Sequence, residues 1–432
     1  MSEAAETVVM KFGGTSVGDA ERVKAAAGRI VQRKEEGNRV VAVLSARGKT
    51  TDELVAMAHE VSDRPHPREM DMLLSTGERV SCALAAMVIN DLGHEAISLT
   101  GSQAGIVTDT SHTKAKIVEV RAGRIRRGLD EGKIVLVAGF QGVSTSADVT
   151  TLGRGGSDTT AVALAAALGA DVCEIFTDVA GVFSADPRLV PNARKLVQVS
   201  FEEMLEMAAS GAGVLQLRSV EYARNYGIPI HCRSSFEDGP GTLILDEQQT
   251  MERPLVTAVT HSTAEARVTL TGLPDRPGIA AAVMGALADA NVNVDMIIQN
   301  EPQTEGHKAD MSFTVPRDDL SMAREALEGL NEDLSFGEIQ TDELMGKVSV
   351  VGAGMKSHPG VAYKTFRALG DAGVNIEMIS TSPIKISCVV REQDVATAVR
   401  ELHEAFELGA DAVKPEDVAG DHRPVVQPEA SS

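Results

Sequence analysis

Lys11-Phe12-Gly13-Gly14-Thr15-Ser16 places a lysine and two glycines where the chain's first apolar run gives out. Glycines there let backbone N–H groups approach an anion with no Cβ in the way, and the lysine can neutralise charge on a transferring phosphoryl group. A turn with an exposed lysine is the plainer reading of this segment alone, and its spacing is not that of a Walker P-loop. A second segment, Thr150-Thr151-Leu152-Gly153-Arg154-Gly155-Gly156-Ser157-Asp158, runs straight into an alanine-rich stretch. Three glycines, an arginine and an acid ahead of a helix N-terminus make an anion site with donors and an orienting carboxylate. The third runs from Thr177-Asp178 through Gly181 and Phe183 to Asp186-Pro187-Arg188. It is partly a proline-bearing hairpin, and its acid, aromatic ring and arginine also suit a nucleotide base and phosphates. Two more segments, from Ser45 to Thr51 and from Ser75 through Gly77-Glu78 to Arg79, set polar groups after apolar ones; singly each would be a helix cap.

Such groups converge only if several strands end side by side. Residues 8–12, 40–45, 134–139 and 172–177 are short, apolar and β-branched, which predicts buried strands. Residues 21–34, 79–92 and 159–168 predict the helices between them, the alternation of an α/β fold. Ser200 with Glu203 predicts a capping box opening a helix over 201–209. Pro240-Gly241 falls near the end of this unit, and 251–254 begins a linker region.

Beyond it the chain repeats itself. Val268-Thr-Leu-Thr-Gly272 matches Val348-Ser-Val-Val-Gly352, and Pro277-Gly278 matches Pro359-Gly360. Asn293-Val-Asp295-Met296 matches Asn375-Ile-Glu377-Met378. Order, spacing and turn chemistry all recur, so each copy reads as strand, loop, helix, strand.

With 432 residues, 43% of them hydrophobic, the chain can build two or three domains. A net charge of −21 argues against nucleic acid or an anionic membrane as partner, so anionic substrates need a locally basic site. The acidic N-terminus has no apolar stretch, and the run 161–170 is about half of a membrane span. Cys82, Cys173, Cys232 and Cys388 lie far apart with no metal-ligand spacing, which fits buried free thiols and the cytoplasm.

Taken in order, the KFGGTS opening, the TTLGRGGSDTTA segment and the paired C-terminal repeat resemble the aspartate kinases of the amino-acid kinase superfamily. The resemblance covers nearly the whole chain. It implies a catalytic domain over 1–250, an open αβα sandwich with a mostly parallel sheet. Two ferredoxin-like ACT domains would follow at 265–340 and 345–415, then a flexible tail at 416–432. The activity implied is transfer of the γ-phosphoryl of Mg-ATP to the side-chain carboxylate of L-aspartate, for lysine, threonine and methionine synthesis. No protein-held metal is implied.

Residue by residue, the resemblance gives Lys11 the transferred phosphate's charge, Asp158 the orientation of Lys11, and Gly13 and Gly14 the phosphates. Ser45 would hydrogen-bond at the phosphoryl end, Arg154 would clamp a substrate carboxylate, and Glu78 would hold the ammonium. Thr51 and Ser157 would complete that pocket, while Thr177, Asp178, Phe183 and Arg188 would hold the nucleotide. Phe183 is often tyrosine in the family, and some members carry lysine where this chain has Gly213. Lysine, threonine or both are the expected effectors, with Asp275, Asn293 and Asp295 as the polar groups around them. A homo-oligomer is expected: a dimer or, with an internal start at Met251, an α2β2 assembly.

Two rivals stay open at this stage. Glutamate 5-kinases and acylglutamate kinases share the chemistry but not the two ACT domains, and a catalytically dead sensor would have no reason to keep Lys11, Glu78, Arg154 and Asp158. The run from Val350 to Ser357 imitates a dinucleotide or phosphate loop but has the wrong spacing, and reads as the edge of an effector site. His112 has no partner motif and reads as structural.

Overall fold

The computed structural model describes residues 5–246, 255–300 and 308–409. Met251 and the tail at 416–432 lie outside them. In the first half, Thr7–Phe12 (β1) leads through a tight turn into Ala20–Glu35 (α1), whose N-terminus Asp19 caps by accepting the Arg22 N–H. Arg39–Leu44 (β2) precedes three helices, Thr50–Val61 (α2), Pro67–Leu74 (α3) and Thr76–Asp91 (α4), and then Ala96–Leu99 (β3). Next come Ile106–Thr108 (β4), Ile117–Val120 (β5), Gly123–Asp130 (α5), Ile134–Ala138 (β6), Gln141–Ser144 (β7) and Val149–Thr151 (β8). The half closes with Gly156–Leu168 (α6), Val172–Thr177 (β9), Gln198–Ser200 (β10), Phe201–Ala209 (α7), Leu217–Tyr226 (α8), Ile230–Ser234 (β11) and Thr242–Leu245 (β12).

Eight of these strands form one sheet in the order β10-β12-β11-β9-β1-β2-β6-β3, parallel except where β12 meets β11. Alternate residues of its central strands enter different cores. Val9, Val41 and Val137 face one side with α6, while Val8, Met10, Val40 and Leu136 face the other with α1 and α4. Burial on both faces is why these strands read as unbroken apolar runs. Helix α6 is alanine-rich and buried nearly all round, which lets it pack closely on β1 and α8. The chain passes from β1 to one side of the sheet through β2 and to the other through β9. The carboxyl ends of those three strands therefore border a crevice, the usual place for a ligand in an open α/β sheet. The short strands β4, β5, β7 and β8 form a second small sheet beside it. Helices α3 and α4 together are long and apolar enough to cross a membrane, but they bury Asp71 and Glu78 inside the fold.

The repeated half begins with Ala258–Ser262 (β13). The first copy contains Glu265–Pro274 (β14), Ile279–Asp289 (α9), Ile297–Gln299 (β15), Lys308–Pro316 (β16), Leu320–Leu334 (α10) and Ile339–Asp342 (β17). The second contains Met345–Val351 (β18), Val361–Asp371 (α11), Met378–Ser382 (β19), Lys385–Arg391 (β20) and Val395–Ala405 (α12). Each copy thus adds a further strand and helix to the strand–helix–strand unit visible in the repeat. The sheets, β15-β16-β14-β17 and β19-β20-β18-β13, correspond strand for strand. Their fourth strands come from opposite ends. Strand β17 follows its own copy, whereas β13 stands ahead of the first copy and completes the second.

The Ser200–Glu203 capping box forms, and it does a second job. Glu203 turns its other oxygen to the Thr257 hydroxyl at 2.6 Å and the Ala353 N–H at 3.1 Å, tying the first half to the second repeat. Ala353, within the run from Val350 to Ser357, therefore rests against the first half of the chain.

Candidate active site

Seven segments meet over the carboxyl ends of β1, β2 and β9 around a cavity of about 370 Å³. Lys11, near the end of β1, points its Nζ to within 2.5 Å of Asp158 Oδ1, on the first turn of α6. Both side chains are largely buried, so the pair is an ionic contact in a poorly screened setting. Gly13 and Gly14 follow Lys11 along the wall, and the Gly48 N–H donates to the Gly14 carbonyl, locking that turn to the segment after β2. Arg47 braces the same turn by donating to the carbonyls of Val17 and Gly18.

Glu78 enters from the first turn of α4. A Cβ on Gly77 would stand 2.8 Å from the Ala46 Cβ, so glycine is what lets this helix close on the β2 end. The Ala46 N–H then donates to Glu78 Oε1 at 3.2 Å, while Oε2 has no hydrogen-bond partner among the described residues. Only 3% of Glu78 is exposed. Burial pushes its carboxyl up to about 7, against the pull of its own and the Ala46 N–H and of Arg79. A buried carboxylate with one oxygen unused in a cavity wall is set up for a cation.

Arg154 lines the same cavity from the loop before α6, exposed and with no ion-pair partner among the described residues. Gly155, at φ +71°, lets that loop turn: a Cβ there would collide with the Gln216 side chain. Ser45, Thr51 and Ser157 add hydroxyls to the wall, and Thr177 closes the β9 side. One cavity wall thus brings together a lysine, glycine backbone, an unsatisfied acid and an arginine.

The residues expected to hold the nucleotide separate here. Thr177 lines the cavity, whereas Asp178, Phe183 and Arg188 do not. Phe183 packs against a core that joins the first half to the second repeat, with Val190, Val256 and Val259. Arg188 is held by Asp186 through a two-pronged contact, with Nη2 and Oδ2 at 2.7 Å. In the repeats, Asp275 and Asn293 are exposed, but Asp295 is engaged by Lys347 at 2.5 Å.

Residues 6–234 match the amino acid kinase family, and residues 267–332 and 348–406 each match the ACT domain. The aspartokinase of Mycolicibacterium smegmatis is 58% identical over 407 residues, 94% of this chain and 97% of that protein. That of Mycobacterium tuberculosis is 57% identical over the same shares. The chain belongs to the aspartokinase family. It is a phosphotransferase with a carboxyl group as acceptor. Among solved structures, E. coli aspartokinase III in complex with aspartate and ADP superposes with a TM-score of 0.80 at 27% identity, over 93% of this chain and 99% of that one.

Several wall residues carried no signal in the enzyme's sequence. Phe140, Val214 and Gln216 are ordinary residue types, and they reach the cavity because β7, α6 and α8 converge there. Gly213 does line the cavity. His112 is not without a partner: its Nδ1 lies 2.7 Å from the buried Asp71.

Proposed function

We propose that the enzyme transfers the γ-phosphoryl of ATP to the side-chain carboxylate of L-aspartate, giving 4-phospho-L-aspartate. This would be the first step toward lysine, threonine and methionine. The observation that carries the reading is the unpartnered, buried oxygen of Glu78 in a cavity that Arg154 and Lys11 also line. Aspartate has one ammonium and two carboxylates. Glu78 takes the ammonium, Arg154 the α-carboxylate, and the β-carboxylate is left facing the lysine and glycine turn. Ser45, Thr51 and Ser157 supply hydroxyl donors. Lys11, steered by Asp158, stabilises charge on the phosphoryl oxygens as one of the β-carboxylate oxygens attacks phosphorus and ADP leaves.

A Mg2+ entering with the nucleotide would neutralise charge on its phosphates beside Lys11 and the Gly13-Gly14 turn. Thr177 and the Gly13-Gly14 turn are the nucleotide contacts the cavity supports. The complex of E. coli aspartokinase III with aspartate and ADP supports the substrate pair.

Regulation by lysine, threonine or both is supported by the two ACT modules and by the structure of E. coli aspartokinase III with lysine and aspartate. An oligomer is supported by the edge strands β15 and β19, which leave Ile297 and Ile379 exposed at matching places. The four free, buried cysteines fit the reducing cytoplasm. Trapping the acyl phosphate as a hydroxamate with hydroxylamine, with L-aspartate and L-glutamate compared, tests the reading. Glutamate turnover equal to or above that of aspartate overturns it.

A further inference from the structure

Asp71 is fully buried, yet it lies outside the cavity wall. Its carboxylate accepts from three donors: the Thr151 hydroxyl at 2.6 Å, the Thr113 N–H at 3.1 Å, and His112 with Nδ1 at 2.7 Å. Thr151 belongs to the strand that leads to Arg154, and His112 and Thr113 to the β4–β5 loop packed against it; together they form the arm that carries Arg154. Thr151 is the last residue of β8, three positions before Arg154. Thr113 is held at φ +66°, and a Cβ on Gly153 would come within 3.1 Å of its carbonyl oxygen, so the two loops lie against each other. Asp71 itself belongs to the other arm. Helix α3 passes through Ser75 directly into α4, which presents Glu78 seven residues on from Asp71. The Ser75 carbonyl accepts Gln141 Nε2 at 2.7 Å, so the junction is also tied to β7, the partner of β8.

We propose that Asp71 is a positioning residue whose carboxylate sets the separation of Glu78 and Arg154, and hence the fit of the substrate's ammonium and α-carboxylate. A carboxylate without solvent contact is costly to bury, and an apolar residue would fill the same space more cheaply. Here the compensation comes entirely from the opposite arm of the pocket. Loosening that tie lets the Arg154 loop move while Lys11 keeps Asp158, which is held within α6, and Gly13 and Gly14 keep their own supports on β1 and β2. The loss should therefore fall on aspartate rather than on ATP.

The inference rests on the assignment of Glu78 and Arg154 to aspartate, and the test separates the two. Thr151→Val keeps the shape of the side chain and removes the hydroxyl donor; Thr151→Ser keeps the donor. The valine variant should raise KM for aspartate about tenfold with KM for ATP within about twofold, since small displacements of a positioning group can cost as much as about 100-fold. The serine variant should stay near wild type, and Asp71→Asn should follow valine with a larger effect. Because Asp71→Asn can also cost the fold, the threonine pair decides. Wild-type aspartate saturation in Thr151→Val, an equal rise in both KM values, or a serine variant as impaired as valine overturns the proposal. Arg154→Ala in the same assay checks the pocket: if it saturates normally, the pocket assignment fails, and if it alone is impaired, the role of Asp71 fails.

Discussion

Lys347 Nζ stands 2.5 Å from Asp295 Oδ2 and 3.1 Å from Glu265 Oε1, a buried cation of the second ACT module held by two carboxylates of the first. The repeat makes this reciprocal. Arg267 occupies the position of Lys347 in the first copy, and it reaches Glu377, the counterpart of Asp295, at 3.1 Å. Between the two ties, Met296 and its counterpart Met378 pack with Met345 and Val389. The recurring acid is therefore explained by a bond between modules, and Asp295 is not a free ligand group. Burial alone would lower the pKa of Lys347, but Glu265 and Asp295 outweigh it and hold the amine above its ordinary value.

Lys347→Met should destabilise the regulatory half by about 1–3 kcal/mol near pH 8, the lower range for a broken buried pair because Asp295 is 41% exposed and partly screened. The variant leaves two neighbouring carboxylates without a cation. Thermal melts of both proteins check this; a variant as stable as its parent would show that the tie contributes nothing to the regulatory half.

At the other end of the molecule, Lys11→Ala should lower kcat by about 10²–10³, about 3–4 kcal/mol, because it removes one preorganised donor aimed at the transferring phosphoryl. ATP binding should stay close to wild type, since the glycine turn is untouched. Arg154→Ala should instead raise KM for aspartate with a smaller effect on kcat, because a carboxylate clamp acts on substrate and transition state alike. Steady-state kinetics on both substrates separates the two, and matching profiles for the two variants would remove the division of labour.

The segments that carry Lys11, the paired glycines, Glu78 and Arg154 were legible from sequence because phosphoryl chemistry needs those types at strand ends, and the fold brings all of them to one cavity. The buried strands were legible too, as unbroken β-branched runs. Other features depend on tertiary placement. Phe183 and Arg188 sit in a segment that reads like a nucleotide turn. How far its ring is free to meet a base depends on how the second repeat docks, and here the half-buried ring packs against that joint core. Asp71 looks like the polar face of a short amphipathic helix until β8 is laid against it. Strand β13 has no mark to show that it belongs to a sheet whose other strands begin more than 80 residues later.

Glu78 gives a pH signature. Burial holds its carboxyl at about 7, so the empty enzyme carries it half-protonated near neutrality. An ammonium binds the ionised form, so apparent affinity for aspartate should weaken as pH falls below about 7, approaching tenfold per unit. The sign for stability is the opposite: without substrate the folded state binds the extra proton, so this group costs stability as pH rises from about 4.5 toward 7. Glu78→Gln should remove the pH dependence of aspartate binding from this window and weaken binding at pH 8. A KM for aspartate that is flat from pH 6 to 8 in the wild type would show that Glu78 does not meet the ammonium.

Effector control is the remaining expectation, and the Lys347–Asp295 tie narrows where to look. Asp275 is exposed beside the Pro277-Gly278 turn, and Asn293 is exposed at the helix-to-strand connection. Gly278 lies at φ +97° as the N-cap of α9, with open space around it, so the first N–H groups of that helix can meet an effector carboxylate. Asp275 offers the partner for an ammonium. The second copy keeps the glycine turn, with Gly360 at φ +108°, but has no acid matching Asp275, so the two copies should not bind the same ligand equally. Allosteric couplings of about 1–3 kcal/mol correspond to roughly 5–150-fold changes, which sets the size of effect to seek. Asp275→Ala should lose sensitivity to lysine or threonine while its uninhibited turnover stays near wild type, since the residue lies outside the catalytic half. Asp295→Asn should behave differently, weakening the tie to Lys347 and lowering stability before it alters effector affinity. Activity measured against lysine and threonine, singly and together, decides between them. An Asp275→Ala enzyme as sensitive as its parent removes that residue from the site, and a parent indifferent to both amino acids removes the regulatory role.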